Sequence, residues 1–328
     1  MIIIDSPSNN AYFNIASEEY LLEKYPNEEI FLLYINAPSI IVGRFQNTLA
    51  EINKEYVDQQ QIKVVRRLSG GGAVYHDLGN LNFSFHSKEV GDDFSDFSTF
   101  TKPVVNLLNQ FGVPAKLEGR NDLLVDGKKF SGNAKLTKNG KIIQHGTILI
   151  DSEMKVLSEA LKINPLKYQD KAVKSVRARV TNLIDYLPEG IDVAQFKAKL
   201  IEHMMLENGK DTVIHELTAN EINGIQQLAD EKYSSWDWNF GSSPTYSFKK
   251  AIKVPAGFIE LHMDVRKGVI QSIKIFGDFF ASKSIEDFEA LFQNVKHDGE
   301  EIEKILNEHQ LSEYFGKVEL EELLGLFR

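Results

Sequence analysis

The residues most able to do chemistry in this chain fall into three clusters. The first is Arg66-Arg67-Leu68-Ser69-Gly70-Gly71-Gly72-Ala73-Val74-Tyr75-His76-Asp77. Three glycines directly after a strand-like run let the backbone turn its N–H groups toward an anion with no side chain in the way. The paired arginines would add charge-assisted contacts to phosphate or carboxylate oxygens. The spacing is not a P-loop, which needs GK[ST] after its glycines, and it is not the GxGxxG dinucleotide fingerprint. A plain turn between strands would use the same glycines. The second cluster joins Gly119-Arg120-Asn121-Asp122, Lys129-Phe130-Ser131-Gly132-Asn133-Ala134 and His145-Gly146-Thr147. Lys129, at a strand start beside a glycine break, is suited to meet a charged ligand, although most lysines are simply solvated. Asp122 either offers carboxylate oxygen to Mg²⁺ or caps a turn, so the metal ligand stays open. The third cluster is basic: six Lys and Arg side chains lie between Lys162 and Arg179 against the single acid Asp170.

The elements that must position these clusters are legible in part. Asn14 to Tyr25 reads as a helix, and 30–35, 39–42, 62–66 and 81–85 read as short strands. A further helix spans 99–111 and ends near Gly112 and Pro114. Asp126-Gly127 and Asn139-Gly140 are strong hairpin signals. They divide the following stretch into three antiparallel strands, 121–125, 128–137 and 142–150, which bring the second cluster together. Ser131-Gly132 interrupts the middle strand, as a bulge or a close backbone approach would. Residues 162–179 read as a long basic loop with helical pieces. Ser234 to Phe248, with Gly241, Ser242, Ser243 and Pro244 in sequence, reads as a linker. Beyond it, 257–265 and 269–276 form a hairpin around Lys267-Gly268, with two or three helices after it.

Bulk properties narrow the class. The 328 residues are 42% hydrophobic and 26% charged, ordinary for a soluble globular enzyme, and long enough for one large and one small domain or for two medium ones. The net charge of −10 argues against a general nucleic-acid binder. No apolar run is long enough to span a membrane, and MIIIDSPSNN lacks the features of a secretory signal. A cytoplasmic protein is expected. With no cysteine in the chain, disulfides, thiolate metal sites and cysteine nucleophiles are all excluded. His76, His86 and His145 lack metal-ligand spacing.

RRLSGGGAVYHDLGNLNFSF (66–85) resembles the lipoate-binding signature of lipoate–protein ligases. So do GRNDLLVDGKKFSGNA (119–134) with HGT (145–147), SVRARVTNL (175–183) and SSWDWNFG (234–241), in the family's order along the chain. The resemblance implies an α/β (α+β) protein. Residues 1–245 would be a catalytic adenylating domain of the biotin/lipoate-ligase fold, a mixed sheet flanked by helices, and 246–328 a small α+β accessory domain. It implies an ATP-dependent, AMP-forming ligase that makes lipoyl-AMP from lipoate or octanoate and MgATP, then acylates one lysine of an acceptor. The implied acceptors are lipoyl domains of 2-oxo-acid dehydrogenase acyltransferase subunits and the glycine-cleavage H protein. The implied state is a monomer that binds no nucleic acid and no membrane. By motif position, Arg67, Gly72, Ala73, Val74, Tyr75 and Lys129 would hold ATP and the adenylate. His76 would line the lipoyl pocket, and Lys129 would be the catalytic cation. The 162–179 loop would close over the intermediate and steer acidic acceptors, and the linker would let the small domain reorient. The alternatives are a non-catalytic lipoate-binding protein and a ligase preferring a lipoyl-amide or octanoyl donor. A biotin ligase would carry a different glycine-rich signature, and an ATP-independent acyl transferase of the same fold works through a cysteine that this chain lacks.

Overall fold

The computed structural model describes residues 1–327 except 47, 89–95, 120, 162–179, 241–247, 267–268 and 298. The basic 162–179 loop, the Gly-Ser-Ser-Pro part of the linker with its expected hinge, and the Lys267-Gly268 turn therefore lie outside the described residues.

The main sheet has eight strands in the spatial order β11 (Val213–Ile214), β1 (Ile2–Asp5), β2 (Ile30–Ile35), β6 (Asn80–Lys88), β10 (Lys141–Leu149), β9 (Lys128–Lys138), β8 (Asp122–Val125) and β7 (Lys116–Glu118). β11, β1 and β2 run parallel, and every other pairing is antiparallel, so the sheet is mixed. The β8–β10 meander follows the two expected hairpins. Asp126, Gly127, Asn139 and Gly140 all have positive φ (51°, 71°, 54° and 70°), as a two-residue turn that matches strand twist requires. The expected irregularity is present too. Leu123 pairs with Ser131 and Leu124 with Lys129, so Phe130 is the extra residue of a bulge.

Each face of the sheet carries its own core. Phe31, Leu33, Leu81, Phe83 and Phe85 pack against Val104, Leu107 and Leu108 of α2 (Ser98–Gln110) and Phe196, Leu200 and Met204 of α3 (Val193–Asn208). On the opposite face Ile30, Leu32 and Tyr34 meet α1 (Ala11–Lys24) through Phe13 and Ala16. Asn10 starts α1 by accepting the Tyr12 N–H at 3.2 Å. A second sheet, β4 (Lys63–Arg66), β3 (Ser39–Val42) and β5 (Val74–His76), adjoins this face and carries the glycine-rich loop between β4 and β5.

The C-terminal part has its own three-stranded antiparallel sheet, β12 (Phe248–Val254), β13 (Gly257–Arg266) and β14 (Val269–Gly277). Ile259, Leu261 and Met263 pack with Phe288, Leu306 and Leu323 from helices Ile285–Ala290, Gly299–Asn307 and Leu320–Phe327, and with Phe292 in the turn after the first of these. Each such fully buried side chain contributes about 1.5–3 kcal/mol of burial. Strand β12 was absent from the expected hairpin because its first residue fell inside the stretch read as linker.

One sequence expectation is corrected outright. Residues 234–240 are not linker. Ser235 caps the short helix Trp236–Asn239, and buried Asn239 reaches strand β4: its Oδ1 accepts the Arg66 backbone N–H at 2.8 Å. The Trp238 indole N–H donates to the Arg66 carbonyl at 2.8 Å. Serine and glycine density marked a boundary, but the Trp238 and Asn239 side chains within it are anchored to β4.

Candidate active site

The two arginines of the first cluster behave differently from surface anion binders. Arg66 is fully buried and spends its guanidinium on Gly43 O (2.9 Å), Gln46 O (2.8 Å), Trp238 O (3.0 Å), Asn239 O (3.1 Å) and Thr48 Oγ1 (2.6 Å). Burial, with Arg44 and Arg67 nearby, lowers its pKa to about 9, so it remains a cation at neutral pH. Arg66 is therefore a tie between β4, the 43–48 loop and the 236–239 helix, and the expectation of a ligand contact fails for it. Arg67 is also buried. Its Nη2 donates to Gly70 O (2.7 Å) and Gly72 O (2.8 Å), Nη1 to Ile41 O (3.1 Å) and Nε to Ser69 Oγ (3.0 Å). Burial lowers its pKa to about 10 despite the opposing carboxylate of Glu18. In this state Arg67 shapes the glycine loop from within.

The three glycines serve three purposes. A Cβ on Gly70 would strike the Phe279 carbonyl. Gly71 adopts φ +91°, and a Cβ there would lie 2.9 Å from Arg67 Nη2. A Cβ on Gly72 would meet nothing within 4 Å, so that glycine alone borders open space. The Gly71 N–H donates to Phe279 O at 3.3 Å, which docks the C-terminal part onto the loop. Of the residues that follow, Tyr75 turns its ring into the cluster of Ile40, Val42, Val57 and Val64, leaving only its backbone for a ligand. Asp77 caps the Gly79 and Glu153 N–H groups at 2.9 and 2.7 Å and so fixes the turn after β5.

Lys129 opens β9 beside the bulge. Its Nζ lies 2.7 Å from Asp122 Oδ1 on β8, with both side chains a little over one-third exposed (36% and 37%). The butylammonium arm crosses Gly132: a Cβ there would lie 2.8 Å from Nζ and 2.9 Å from Cε. The lysine-to-glycine spacing in Lys129-Phe130-Ser131-Gly132 is thus a spatial requirement, since the glycine leaves a groove for the lysine. Asp122, read as metal ligand or turn cap, is the counter-ion of Lys129.

Sequence reasoning missed the buried polar wall between α1 and the main sheet. Along β6 the apolar Leu81, Phe83 and Phe85 alternate with Asn80, Asn82, Ser84 and His86, and both faces are buried. His145 on β10 faces the same way, paired with Ser84. Its Nδ1 bonds Glu18 Oε2 of α1 at 2.7 Å, and its Nε2 meets Ser69 Oγ of the glycine loop at 2.6 Å. Burial alone would raise the Glu18 carboxyl, but the adjacent His145, His86 and the Tyr34 hydroxyl outweigh it and hold its pKa below the ordinary value. His76 belongs to the same polar region. Burial, then the charges of Arg67 and His145, push its pKa down to about 3. Strict polar–apolar alternation in Asn-Leu-Asn-Phe-Ser-Phe-His was the available signal. It reads as a solvated face unless another layer is known to cover it. Among the described residues no cluster of three or more metal-ligating side chains occurs.

Comparison with known proteins settles the family. A family model for the lipoyl protein ligase A/B catalytic domain matches residues 10–205, and one for the bacterial lipoate protein ligase C-terminus matches 243–327. The chain belongs to the lipoate–protein ligases. It is 43% identical over 329 residues to the lipoate-protein ligase LplJ of Bacillus subtilis, covering 99% of each chain. Among solved structures it is similar to P. falciparum LipL1 in complex with lipoate, with TM-score 0.81, 28% identity and 94% of each chain covered. It is also similar to a lipoate-protein ligase A bound with ATP (TM-score 0.61, 28% identity, 73% of this chain and 98% of that one). A third relative is the bi-partite lipoate protein ligase of Thermoplasma acidophilum, studied with its E2 lipoyl domain (TM-score 0.64, 30% identity, 75% and 98%). The expected fold class is therefore met: a lipoate-ligase fold with a mixed sheet flanked by helices and a C-terminal antiparallel sheet with helices. The protein is an enzyme, a lipoate–protein ligase. Among the described residues no helix is long and apolar enough to cross a membrane.

Proposed function

We propose that this ligase makes lipoyl-AMP from lipoate and ATP, releases pyrophosphate, and passes the lipoyl group to a lysine on lipoyl-domain proteins. The observation that carries the reading is the Lys129 arm, laid across Gly132 and anchored 2.7 Å from Asp122, in a chain that matches both family models. In the first step a carboxylate oxygen bonds to the α-phosphorus as the bond to pyrophosphate breaks, and negative charge gathers on the phosphoryl oxygens. A pre-positioned ammonium lowers that barrier electrostatically. In the second step the acceptor amine attacks the acyl carbon, the bond to AMP breaks, and the amine loses a proton. The same ammonium can stabilise the carbonyl oxygen as it becomes anionic. The Gly72 N–H, with Ala73, Val74 and Tyr75 backbone behind it, is our candidate for the adenylate contact, and Arg67 shapes that cradle. The name of the ATP-bound relative supports ATP as co-substrate, and that of the Thermoplasma ligase supports lipoyl domains as acceptors.

Mg²⁺ is usually held by one or two carboxylates together with substrate phosphates. Asp122 has the right donor and enough exposure to be that carboxylate, and the ion would offset phosphate charge there. We further propose that residues 1–245 are the catalytic domain and 246–328 the accessory domain, that the enzyme works in the cytoplasm as a monomer, and that E2 lipoyl domains and the H protein are the acceptors. The test is lipoate-dependent ATP–pyrophosphate exchange in the wild type and in Lys129→Ala. Robust exchange that falls by about 100-fold or more in the variant is expected. A folded, Mg²⁺-supplied wild type without exchange would overturn adenylate chemistry.

A further inference from the structure

Two strands of the main sheet part company beside Lys129, and a returning piece of chain fills the fork. Strand β10 keeps β6 as its partner as far as Leu149 and Asn80, but its pairing with β9 ends at Gly146 and Asn133. At the mouth of the fork the Thr147 hydroxyl oxygen accepts the Gly132 N–H at 3.2 Å. Residues 180–184 occupy the gap beyond. On one side Val180 bridges Lys129 in parallel, and the Thr181 N–H donates to the Lys129 carbonyl at 2.9 Å. On the other side the Leu183 and Ile184 N–H groups donate to the Leu149 and Ile150 carbonyls at 2.8 and 2.9 Å. The backbone of Lys129 therefore rests between Leu124 of β8 and this wedge.

Asn182 fastens the wedge. Its Oδ1 accepts the Ser152 N–H at 3.0 Å and its Nδ2 donates to the Ser152 carbonyl at 2.9 Å. A backbone N–H only donates and a carbonyl only accepts, so the amide has one orientation in this clasp. The next N–H along the chain, that of Glu153, donates to Asp77, which closes the turn after β5. One route thus runs from the glycine-loop motif through Asp77, Glu153, Ser152, Asn182 and Thr181 to Lys129. Leu183, fully buried in the same core as Phe130 and Ile148, is the segment's anchor for folding. Asn182 contributes the clasp and no apolar burial.

We propose that Asn182 is a positioning residue for Lys129: its clasp on Ser152 seats the 180–184 wedge, and the wedge sets where the lysine ammonium stands. The inference rests on the reading of Lys129 as the catalytic cation. The Phe130 bulge interrupts the ladder to β8 next to Lys129, so the wedge is what steadies the strand on its other edge. An ammonium that acts on charge built up in the transition state is felt in kcat when it moves.

The experiment is a double-mutant cycle read by lipoate-dependent pyrophosphate exchange, with thermal melts alongside. Asn182→Ala and Asn182→Asp are each made alone and together with Lys129→Ala. Aspartate still accepts from the Ser152 N–H but has no donor for the carbonyl, so half the clasp remains. The expected result is that Asn182→Ala lowers kcat about 10-fold, with lipoate KM changed by less than about two-fold, and that Asn182→Asp falls between it and the wild type. In the Lys129→Ala background neither substitution should cost more than about a further two-fold, because the group it positions is gone. If Asn182→Ala does not fold, Asn182→Asp carries the same cycle. Equal fold-losses with and without the ammonium would overturn the proposal, since they would mark a residue that serves the fold or the substrate directly. An unchanged kcat would overturn it too, whether or not lipoate KM rises. A wild type without exchange, or a Lys129→Ala variant with full exchange, would instead defeat the reading of Lys129 on which the inference rests, a separate and recognisable failure.

Discussion

The ammonium of Lys129 owes its position to two neighbours that do no chemistry themselves. Asp122 holds its end, and Gly132 leaves the groove through which the arm passes. A methyl group at residue 132 would collide with the flexible tip of a lysine and not with backbone. The fold should therefore tolerate Gly132→Ala while the ammonium moves aside. Displacement of a catalytic group by about 1 Å can cost on the order of 100-fold in rate. Gly132→Ala is accordingly expected to lower the pyrophosphate-exchange kcat by roughly 10- to 100-fold, with a melting temperature close to wild type. Thermal melts alongside exchange kinetics would decide the matter. Near-normal exchange would mean that the ammonium finds its place without the groove. Neither arginine of the glycine-loop motif presents a free guanidinium, whereas the Lys129 ammonium stays partly exposed beside Asp122.

At the scale of elements, one hydrogen-bond chain ties three of them together. Glu18 lies on α1, His145 on β10 and Ser69 in the loop that follows β4, and contacts of 2.7 and 2.6 Å join them. The carboxylate orients the imidazole, the imidazole fixes the serine hydroxyl, and that hydroxyl receives Arg67 Nε. Glu18→Gln keeps the shape but removes the charge and one acceptor, leaving buried polar groups poorly matched. The expected cost is about 1–3 kcal/mol of unfolding free energy. Lipoate KM should rise as the loop loses its anchor, measured by urea denaturation and exchange kinetics together. Unchanged stability and KM would show that the chain is not what holds the loop. The same elements explain how far the sequence could be read. Asp-Gly and Asn-Gly turns declared the β8–β10 meander because only a few residues accept positive φ, and the interruption at Ser131-Gly132 predicted the bulge within a residue. Triple glycine declared a special loop. Alternation in β6 could not declare a buried polar wall, because covering layers come from α1 and β3–β5, distant in sequence. Arg66 could not be told from a ligand-binding arginine, since its partners lie in the 43–48 and 236–239 segments. Ser234 to Phe240 looked like linker because cap residues and linker residues have the same composition.

The whole molecule joins two cores through a contact made by both backbone and side chains. Besides the Gly71–Phe279 hydrogen bond, Phe45 stacks on Phe279 with centroids 5.1 Å apart and planes 4° from parallel, and Arg44 pairs with Glu286 at 2.5 Å. The smallness of the glycines is thus used for docking as well as for ligand approach. Stability against pH is likewise a property of the whole, and two buried histidines dominate one part of it. His76 is depressed to about 3 and His86 to about 4, the latter chiefly by burial, with Lys141 reinforcing the effect and Glu18 opposing it. In the unfolded chain both return to about 6.5. Below that pH the unfolded state takes up protons that the folded state refuses. Their contribution is therefore complete above about pH 6.5 and is lost as pH falls toward 4. The slope is about 1.4 kcal/mol per pH unit for each histidine. Glu18, also depressed, adds its own loss only below the ordinary carboxylate range near 4.3. Urea unfolding should give a constant free energy between pH 8 and pH 7 and a steep fall from about 6.5 to 5. In His86→Gln that fall should shrink by about half. A flat profile down to pH 5 would mean that both imidazoles can be protonated within the folded protein, and the polar wall would then have to admit water freely.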